Sequence, residues 1–495
     1  MKVVFALLAL LSLSSPTLYA EQVESIAGTL KALISNTDTE SLTVTGSINA
    51  IDIDFINNQL PNLTYLDLSG ATIESTGEGA IQVSPANTLP AYSFMGSGIK
   101  TLILPANLKT LAEGCLAASS ITGLTIPESV DSLSKAICNR CKALTTVKLP
   151  SATRHVPDLA FKGCSALSSV TLSSATESIG NQSFYGCTSL ESISLPEAIN
   201  TIGNEAFNGC RQLNNVNFTT QLKHIGETAF SNTAITSADL SGCKNLTFLG
   251  SWAFSQCLSL VDASLPVSLT AVGEGIFFNC TSLETVSLPA TLTELTPYML
   301  KDASLTSADD ILTDATQSVG RYALYGNDRL TFIKLPATVD RIDDKAMAHM
   351  SSLSQLDATG LTALPALGED VFDGTANFDV TLLASATMAA EFEAAPQWQE
   401  FNIVIDEPSH TETPAIDTTT NNVRIRHIDN ILYIESPRAI ETVTLYDLQS
   451  RIVAQTAVYG NTIATISTAG ITSSHIVIAR ILTSGDSAYS FKIKL

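Results

Sequence analysis

The apolar positions of this chain keep returning in one phrase. Leu190, Ile193 and Leu195 follow the order L-x-x-I-x-L. Ile193 and Leu195 alternate with an outward Ser194, as a short strand requires. Pro196 then ends the strand, because it has no N–H to give to a ladder. Ile199 and Ile202 return to the interior, Gly203 is read as a turn, and Ala206 with Phe207 closes the unit. The chain is then back where it stood at Phe184. The full series of such anchors is Phe94, Leu116, Cys138, Phe161, Phe184, Phe207, Phe230, Phe254, Phe277, Leu300, Leu324, Met347 and Phe372. They are spaced 22 to 25 residues apart, most often 23. One such unit cannot cover its own apolar wall, so neighbours must stack. The pattern predicts a solenoid of short parallel strands in coils of about 23 residues.

The flanking segments break the period. "LPNLTYLDLSGATI" puts Leu60, Leu63, Leu66 and Leu68 at leucine-rich spacing, and "VESIAGTLKALI" before it has the pattern of an amphipathic capping helix. Near the other end, "AEFEAAPQWQEFNIVI" offers Phe392, Trp398 and Phe401 to seal the last coil; a sugar platform is the alternative for Trp398. Residues 1–20 join Lys2, an apolar run and small residues ending at Ala20, the pattern of a secretory signal peptide. Residues 406–422 are polar and rich in Thr, as a linker is. Beyond them come seven short alternating segments, from "VRIRHI" to "YSFKIKL", which predict a small all-β immunoglobulin-like sandwich. The expected divisions are 1–20 (leader), 21–93 (cap and first coils), 94–371 (regular repeats), 372–405 (closing cap), 406–422 (linker) and 423–495 (β-sandwich).

Two resemblances sharpen this picture. The recurring anchor, G-C, L-x-x-I-x-L-P and I-G-x-x-A-F elements resemble the leucine-rich repeats of the BspA-like family, over about residues 40–402. That resemblance implies a secreted or surface-displayed adhesin that binds a host or extracellular matrix protein, or a glycan. The segments "LYIES", "VTLYDLQSRIV", "IVIARI" and the closing "KIKL", with Lys492 and Lys494, resemble the C-terminal sorting domain of type IX secretion cargo in Bacteroidetes. This implies engagement of the type IX machinery, passage across the outer membrane, removal of the module, and attachment to the cell surface or release.

Composition narrows the partners. The net charge of −22 disfavours nucleic acid and anionic membrane surfaces. After the leader, no stretch is long and apolar enough to span a bilayer. The six histidines are scattered, and no nucleophile elbow, phosphate loop or repeated Asp-Gly calcium pattern occurs. The chain is therefore read as no enzyme, with no catalytic residue, cofactor or metal. "DIDF" at Asp52–Phe55 is a turn or short helix in preference to a carboxylate pair.

Nine cysteines raise the question of disulfides. Six of them, Cys141, Cys164, Cys187, Cys210, Cys257 and Cys280, stand three residues after an anchor and so form a column. Buried free thiols and a ladder of bridges both fit that geometry. "CNRC" at Cys138–Cys141 has redox spacing, but the repeat explains it as an anchor followed by a column cysteine.

The strand positions that point outward are the candidate binding face. In the central coils they are Thr145, Thr146 and Lys148; Ser168, Ser169 and Thr171; Glu191, Ser192 and Ser194; and Asn214, Asn215 and Asn217. Across the array Ser, Thr and Asn dominate, and Phe332 is the one aromatic. Such a strip can dock a protein or glycan, or its hydroxyls can simply bond along a parallel sheet.

Overall fold

The computed structural model describes residues 19–76, 84–376, 379–406, 423–428, 431–446, 451–468, 476–484 and 487–494. Most of the expected leader and the linker lie outside the described residues. The chain divides into two compact units between Ile405 and Asp406.

Each regular coil of the first unit has three walls. The L-x-x-I-x-L segment makes the first. Gly123–Thr125, Thr146–Lys148 and Ser169–Thr171 pair in parallel, with Leu124, Val147 and Val170 in register. The second wall is a ladder of two-residue strands, Ser178–Ile179, Thr201–Ile202, His224–Ile225 and Phe248–Leu249. The third is the turn that carries the anchor. There the N–H groups of Gln182, Phe184 and Gly186 donate to the carbonyls of Asn204, Ala206 and Asn208 in the next coil, at 2.8, 2.9 and 2.8 Å. Residues two before and two after each anchor hold a left-handed φ, for example 55° at Gln182 and 68° at Gly186. This alternation aims every second N–H at the same neighbour, so each coil passes its donors to the following one.

The walls enclose one continuous core. Its spine is a stack of fully buried rings, Phe161, Phe184, Phe207, Phe230, Phe254 and Phe277, with centroids 5.2–5.9 Å apart. Gly203 does not supply the turn. Its φ lies outside the left-handed region, and a Cβ there would sit 2.8 Å from the Asn181 nitrogen and 2.9 Å from the Gly180 carbonyl carbon. The glycine is needed because the preceding coil passes too close for any side chain.

The ends are closed differently from one another. At the start, Ala20–Ser25, Ser41–Ile48 and Tyr65–Ile73 pair in parallel and continue into Thr101–Ile103. The segment expected as an amphipathic helix gives Val23–Ser25 to the first of these strands and keeps one helical turn, Leu30–Leu33. Strand pairing covers the open edge of the ladder, which a four-residue helix could not do by itself. The longer helix here is Ala50–Gln59, started by a capping box of Asn49 and Asp52. The buried Asp52 carboxylate also takes the N–H groups of Gly28 and Leu30 at 2.6 and 2.9 Å, so its role is structural. At the far end, Ala389–Ala394, a short turn at Trp398–Glu400 and the strand Asn402–Ile405 cover the last coil. Phe392, Trp398 and Phe401 are all buried there, which rules out a sugar platform at Trp398.

The second unit is antiparallel and all-β. Two of the seven expected segments run on into others, giving five strands among the described residues: Arg424–Ile428, Ile431–Tyr446, Ile452–Ser467, Ile476–Thr483 and Ser487–Lys494. Pro437, which has no N–H to give, falls where the register slips between Glu435 and Ile440, and the strand continues past it. The first half of that strand pairs with Arg424–Ile428 and its second half with Ile476–Thr483. Residues of both halves, among them Leu432, Ile434, Val443 and Leu445, share one core with Ala464 and Ile481.

Candidate binding face

The first wall holds every residue predicted for the binding strip, and each is exposed: Thr145, Thr146, Lys148, Ser168, Ser169, Thr171, Glu191, Ser192, Ser194, Asn214, Asn215 and Asn217. They are not equally available. Thr145 Oγ1 donates to the Thr122 carbonyl at 2.8 Å and Ser168 Oγ to the Thr145 carbonyl at 3.3 Å. The Asn217 amide takes the Leu195 N–H at 2.8 Å and returns a bond to the Leu195 carbonyl at 3.1 Å. Lys148 lies 3.6 Å from Glu128. These four brace neighbouring coils. The coil that follows Leu300 interrupts the strip, because it forms no strand on this wall.

The strands of this wall fall into separate short ladders, and a depression lies at one of the breaks. Between Asn215–Val216 and Ser237–Asp239 the ladder is broken. No backbone hydrogen bond joins residues 214–218 to residues 236–240; the coils are held just outside by Ala234 N–H to the Leu213 carbonyl at 3.0 Å. The gap is a depression of about 580 Å³, lined by Asn214, Asn215, Val216, Phe218, Thr236, Ser237 and Asp239. Two local departures from the repeat meet here. Ile235 comes five residues after its anchor, where Leu213 comes six after its own. Phe218 and Thr219 replace the usual Leu-Pro. The same shortening after Leu300 leaves Thr306 N–H bonded to the Glu284 carbonyl at 3.1 Å, so shortening alone does not open the wall. The Phe218 ring, set edge-on to Phe230 and Phe254 at 5.5 and 6.0 Å, distinguishes this place.

The cysteine column has a chemical logic beyond size. All nine cysteines are free and buried. Each column thiol donates to the anchor carbonyl of the preceding coil: Cys141 to Leu116, Cys164 to Cys138, Cys187 to Phe161, Cys210 to Phe184, Cys257 to Phe230 and Cys280 to Phe254, at 2.9–3.2 Å. Where cysteine is replaced, a donor usually remains. Asn327 Nδ2 reaches the Leu300 carbonyl at 2.9 Å, and Thr375 Oγ1 reaches the Met347 carbonyl at 2.9 Å. Burial pushes the Cys210 thiol up to about 12, which keeps it protonated and donating, whereas at Cys257 burial is outweighed by hydrogen bonds from Cys280 and Thr233, which lower the thiol. In the C-x-x-C pair, burial raises Cys138, while hydrogen bonds from Cys138 and Cys164 lower Cys141. Both are fully buried, and Cys138 fills the place of an anchor ring.

Sequence reasoning missed a cluster on the third wall. Trp252, Phe278, Tyr298, Tyr322, Tyr325 and His349 run along it, with Tyr298 and Tyr322 stacked at 5.2 Å and Tyr325 5.0 Å from His349. Lys301 Nζ lies 4.1 Å over Tyr325, and Arg321 lies 5.3 Å from the Tyr298 ring. The ring faces are spent on each other and on these cations, so the cluster first of all braces the coils. Its sequence signal was an aromatic two before or one after an anchor, as in "SWAF", "FFNC" and "YALYG". The second wall's histidines are similarly occupied: His155 Nδ1 is 2.8 Å from Ser178 Oγ, and His224 stacks on Phe248 at 4.4 Å. Among the described residues no group of three or more His, Cys, Asp or Glu could hold a metal ion, and no helix is long and apolar enough to cross a membrane.

Comparison with known proteins follows the same lines. Among solved structures, a leucine-rich repeat protein from Bacteroides ovatus ATCC 8483 matches with a TM-score of 0.50 at 19% identity, over 74% of this chain and 84% of that one. One from Eubacterium ventriosum ATCC 27560 gives 0.38 at 16% identity, over 66% and 79%. A leucine rich cell surface protein from Faecalibacterium prausnitzii A2-165 gives 0.26 at 18% identity, over 50% and 87%. The Bacteroides ovatus likeness is one of fold alone. No curated protein matches the sequence. The family model described as BspA type leucine rich repeat region matches residues 80–190, 134–261, 177–307 and 247–379, more than half of the chain. The chain therefore belongs to the BspA-type leucine-rich repeat proteins.

Proposed function

We propose that this protein is exported, displayed at the outer cell surface or released, and docks a host or extracellular matrix protein without catalysing a reaction. The observation that carries the reading is the long first wall, polar, exposed and repeated coil after coil. Family membership supports a repeat protein that works by presenting surface. The leader pattern of residues 1–20 supports export, and the sorting-like segments of residues 423–495 support delivery by the type IX machinery, followed by removal of that module. The wall offers many weak polar contacts in place of a few aromatic anchors, so binding is expected to be broad and of modest affinity.

The test is a binding screen of the full chain against immobilised matrix proteins. Saturable binding that is lost when Thr146, Ser169, Ser192 and Asn215 all become Glu supports docking on the first wall. A well-folded protein that binds nothing leaves a structural spacer as the better description.

A further inference from the structure

The geometry points to the ladder break between Asn215–Val216 and Ser237–Asp239 as a binding site for the uncharged terminal sugar of a glycan. This deepens the docking role proposed above and rests on it.

Four observations converge. First, the depression has ligand dimensions, about 580 Å³, at a break between two of the short ladders that make up this wall. Second, most of its polar side chains are free, Ser237, which donates to Asp262, being the exception. Thr145, Ser168 and Asn217 spend their side chains on backbone carbonyls, whereas Asn214, Asn215 and Thr236 make no side-chain hydrogen bond among the described residues. Asp239 commits one oxygen, Oδ1, to the N–H and hydroxyl of Ser241 at 3.0 and 2.6 Å, which fixes the carboxylate and leaves Oδ2 open. Third, backbone groups on both rims lack partners across the gap. Fourth, the Phe218 ring is only partly covered and adds an apolar patch to the floor.

That set matches a pyranose. A sugar hydroxyl both donates and accepts, as an amide pair does, and a fixed carboxylate takes two adjacent hydroxyls. The apolar C–H face of the ring needs one aromatic neighbour. Charge selects among sugars. No cation lines the depression, Asp262 stands next to it on Ser237, and the chain carries −22. Sialylated and sulfated glycans are therefore repelled. An added peptide strand does not fit either, because the Ala234 to Leu213 bond holds the two coils at ladder spacing.

The experiment probes the full chain on an array of oligosaccharides ending in mannose, galactose, N-acetylglucosamine or sialic acid. Saturable binding to one neutral terminus is expected, with none to sialic acid. Asn215→Ala and Asp239→Asn should each weaken it about tenfold, while Thr146→Ala, three coils away, leaves it unchanged. Phe218→Leu, which restores the residue other coils carry, should also weaken it with the fold intact by circular dichroism. No sugar binding at millimolar concentration overturns the assignment, as does sugar binding indifferent to Asn215→Ala and Asp239→Asn. Matrix-protein binding that survives enzymatic removal of glycans and is lost in Asn215→Ala also overturns it, since the depression would then take polypeptide. In that case docking on this wall still stands.

Discussion

At the residue scale the most informative position is the third after each anchor. Cysteine there looks like a small apolar filler, and its period invites a disulfide ladder. Its neighbours say otherwise. The anchor carbonyl of one coil points at the thiol of the next, and Asn327 and Thr375 keep that bond when cysteine is gone. The clue was present in the sequence, because most replacements are hydrogen donors, but only the carbonyl opposite gives it meaning. Cys210→Ala should cost about 1–3 kcal/mol, because the Phe184 carbonyl loses its donor at 3.1 Å inside the core. Cys210→Ser should cost less than the alanine change. Both variants should also respond to pH differently from the wild-type protein. A thiol near 8.5 in the unfolded chain is raised to about 12 in the folded one. Its contribution is whole below the unfolded value and drains away as pH rises from about 8.5 to 12, since only the unfolded chain releases the proton. Urea midpoints at pH 7.5 and 10.5 check both points. Equal losses for serine and alanine at pH 7.5 would reduce the column to packing.

At the element scale the coil was legible because its period is nearly constant and its apolar order repeats. The anchors, the strand ladder and the sealing role of Phe392, Trp398 and Phe401 could all be placed from spacing. What spacing could not show is how coils touch. Gly203 reads as a turn, yet the chain turns at the left-handed positions around the anchor, and Gly203 exists for close approach. The opening at Asn215 was hidden for a related reason. The coil after Phe230 loses one residue before its strand and gains two after it, so the anchor spacing of 24 differs by only one from the usual 23 and hides the shift. The N-terminal segment was misread because an amphipathic pattern does not reveal that an unpaired strand edge lies beside it. These two glycine roles separate by mutation. Gly203→Ala must move backbone at 2.8 Å and should cost about 1–3 kcal/mol. Gly186→Ala meets nothing closer than 4.0 Å and should cost about 1–2 kcal/mol, the strain of a left-handed alanine. Crystal structures of the two variants would show the distinction: shifted coils around position 203, and none around 186. Unmoved coils in Gly203→Ala would contradict the close-approach reading.

At the scale of the whole solenoid, stability is local. Each coil touches its two neighbours, so free energy accumulates as coil and interface terms along one axis. A lesion should therefore be felt according to where it falls. Trp398 is buried at the end, 4.9 Å from Phe372 and 5.0 Å from Phe392. Trp398→Ala removes about 3–5 kcal/mol of packing, but it strips cover from one side of a single coil. The last coils should fray while the centre stays closed. Phe230 stands inside the stack, 5.2 Å from Phe207 and 5.3 Å from Phe254, and also supports Phe218. Phe230→Ala loses a similar amount, but it weakens two interfaces at once and parts the array into an N-terminal and a C-terminal block. Hydrogen exchange read by mass spectrometry resolves the two patterns. Trp398→Ala should lose protection from about residue 340 to 405 and keep it at 140–280. Phe230→Ala should lose it on both sides of the break, with the depression at Asn215 and Asp239 exchanging first, because that is where the ladder already lacks bonds. If both variants instead lost protection evenly from end to end, the solenoid would be one cooperative block. The broken ladder would then be no weaker than the coils around it.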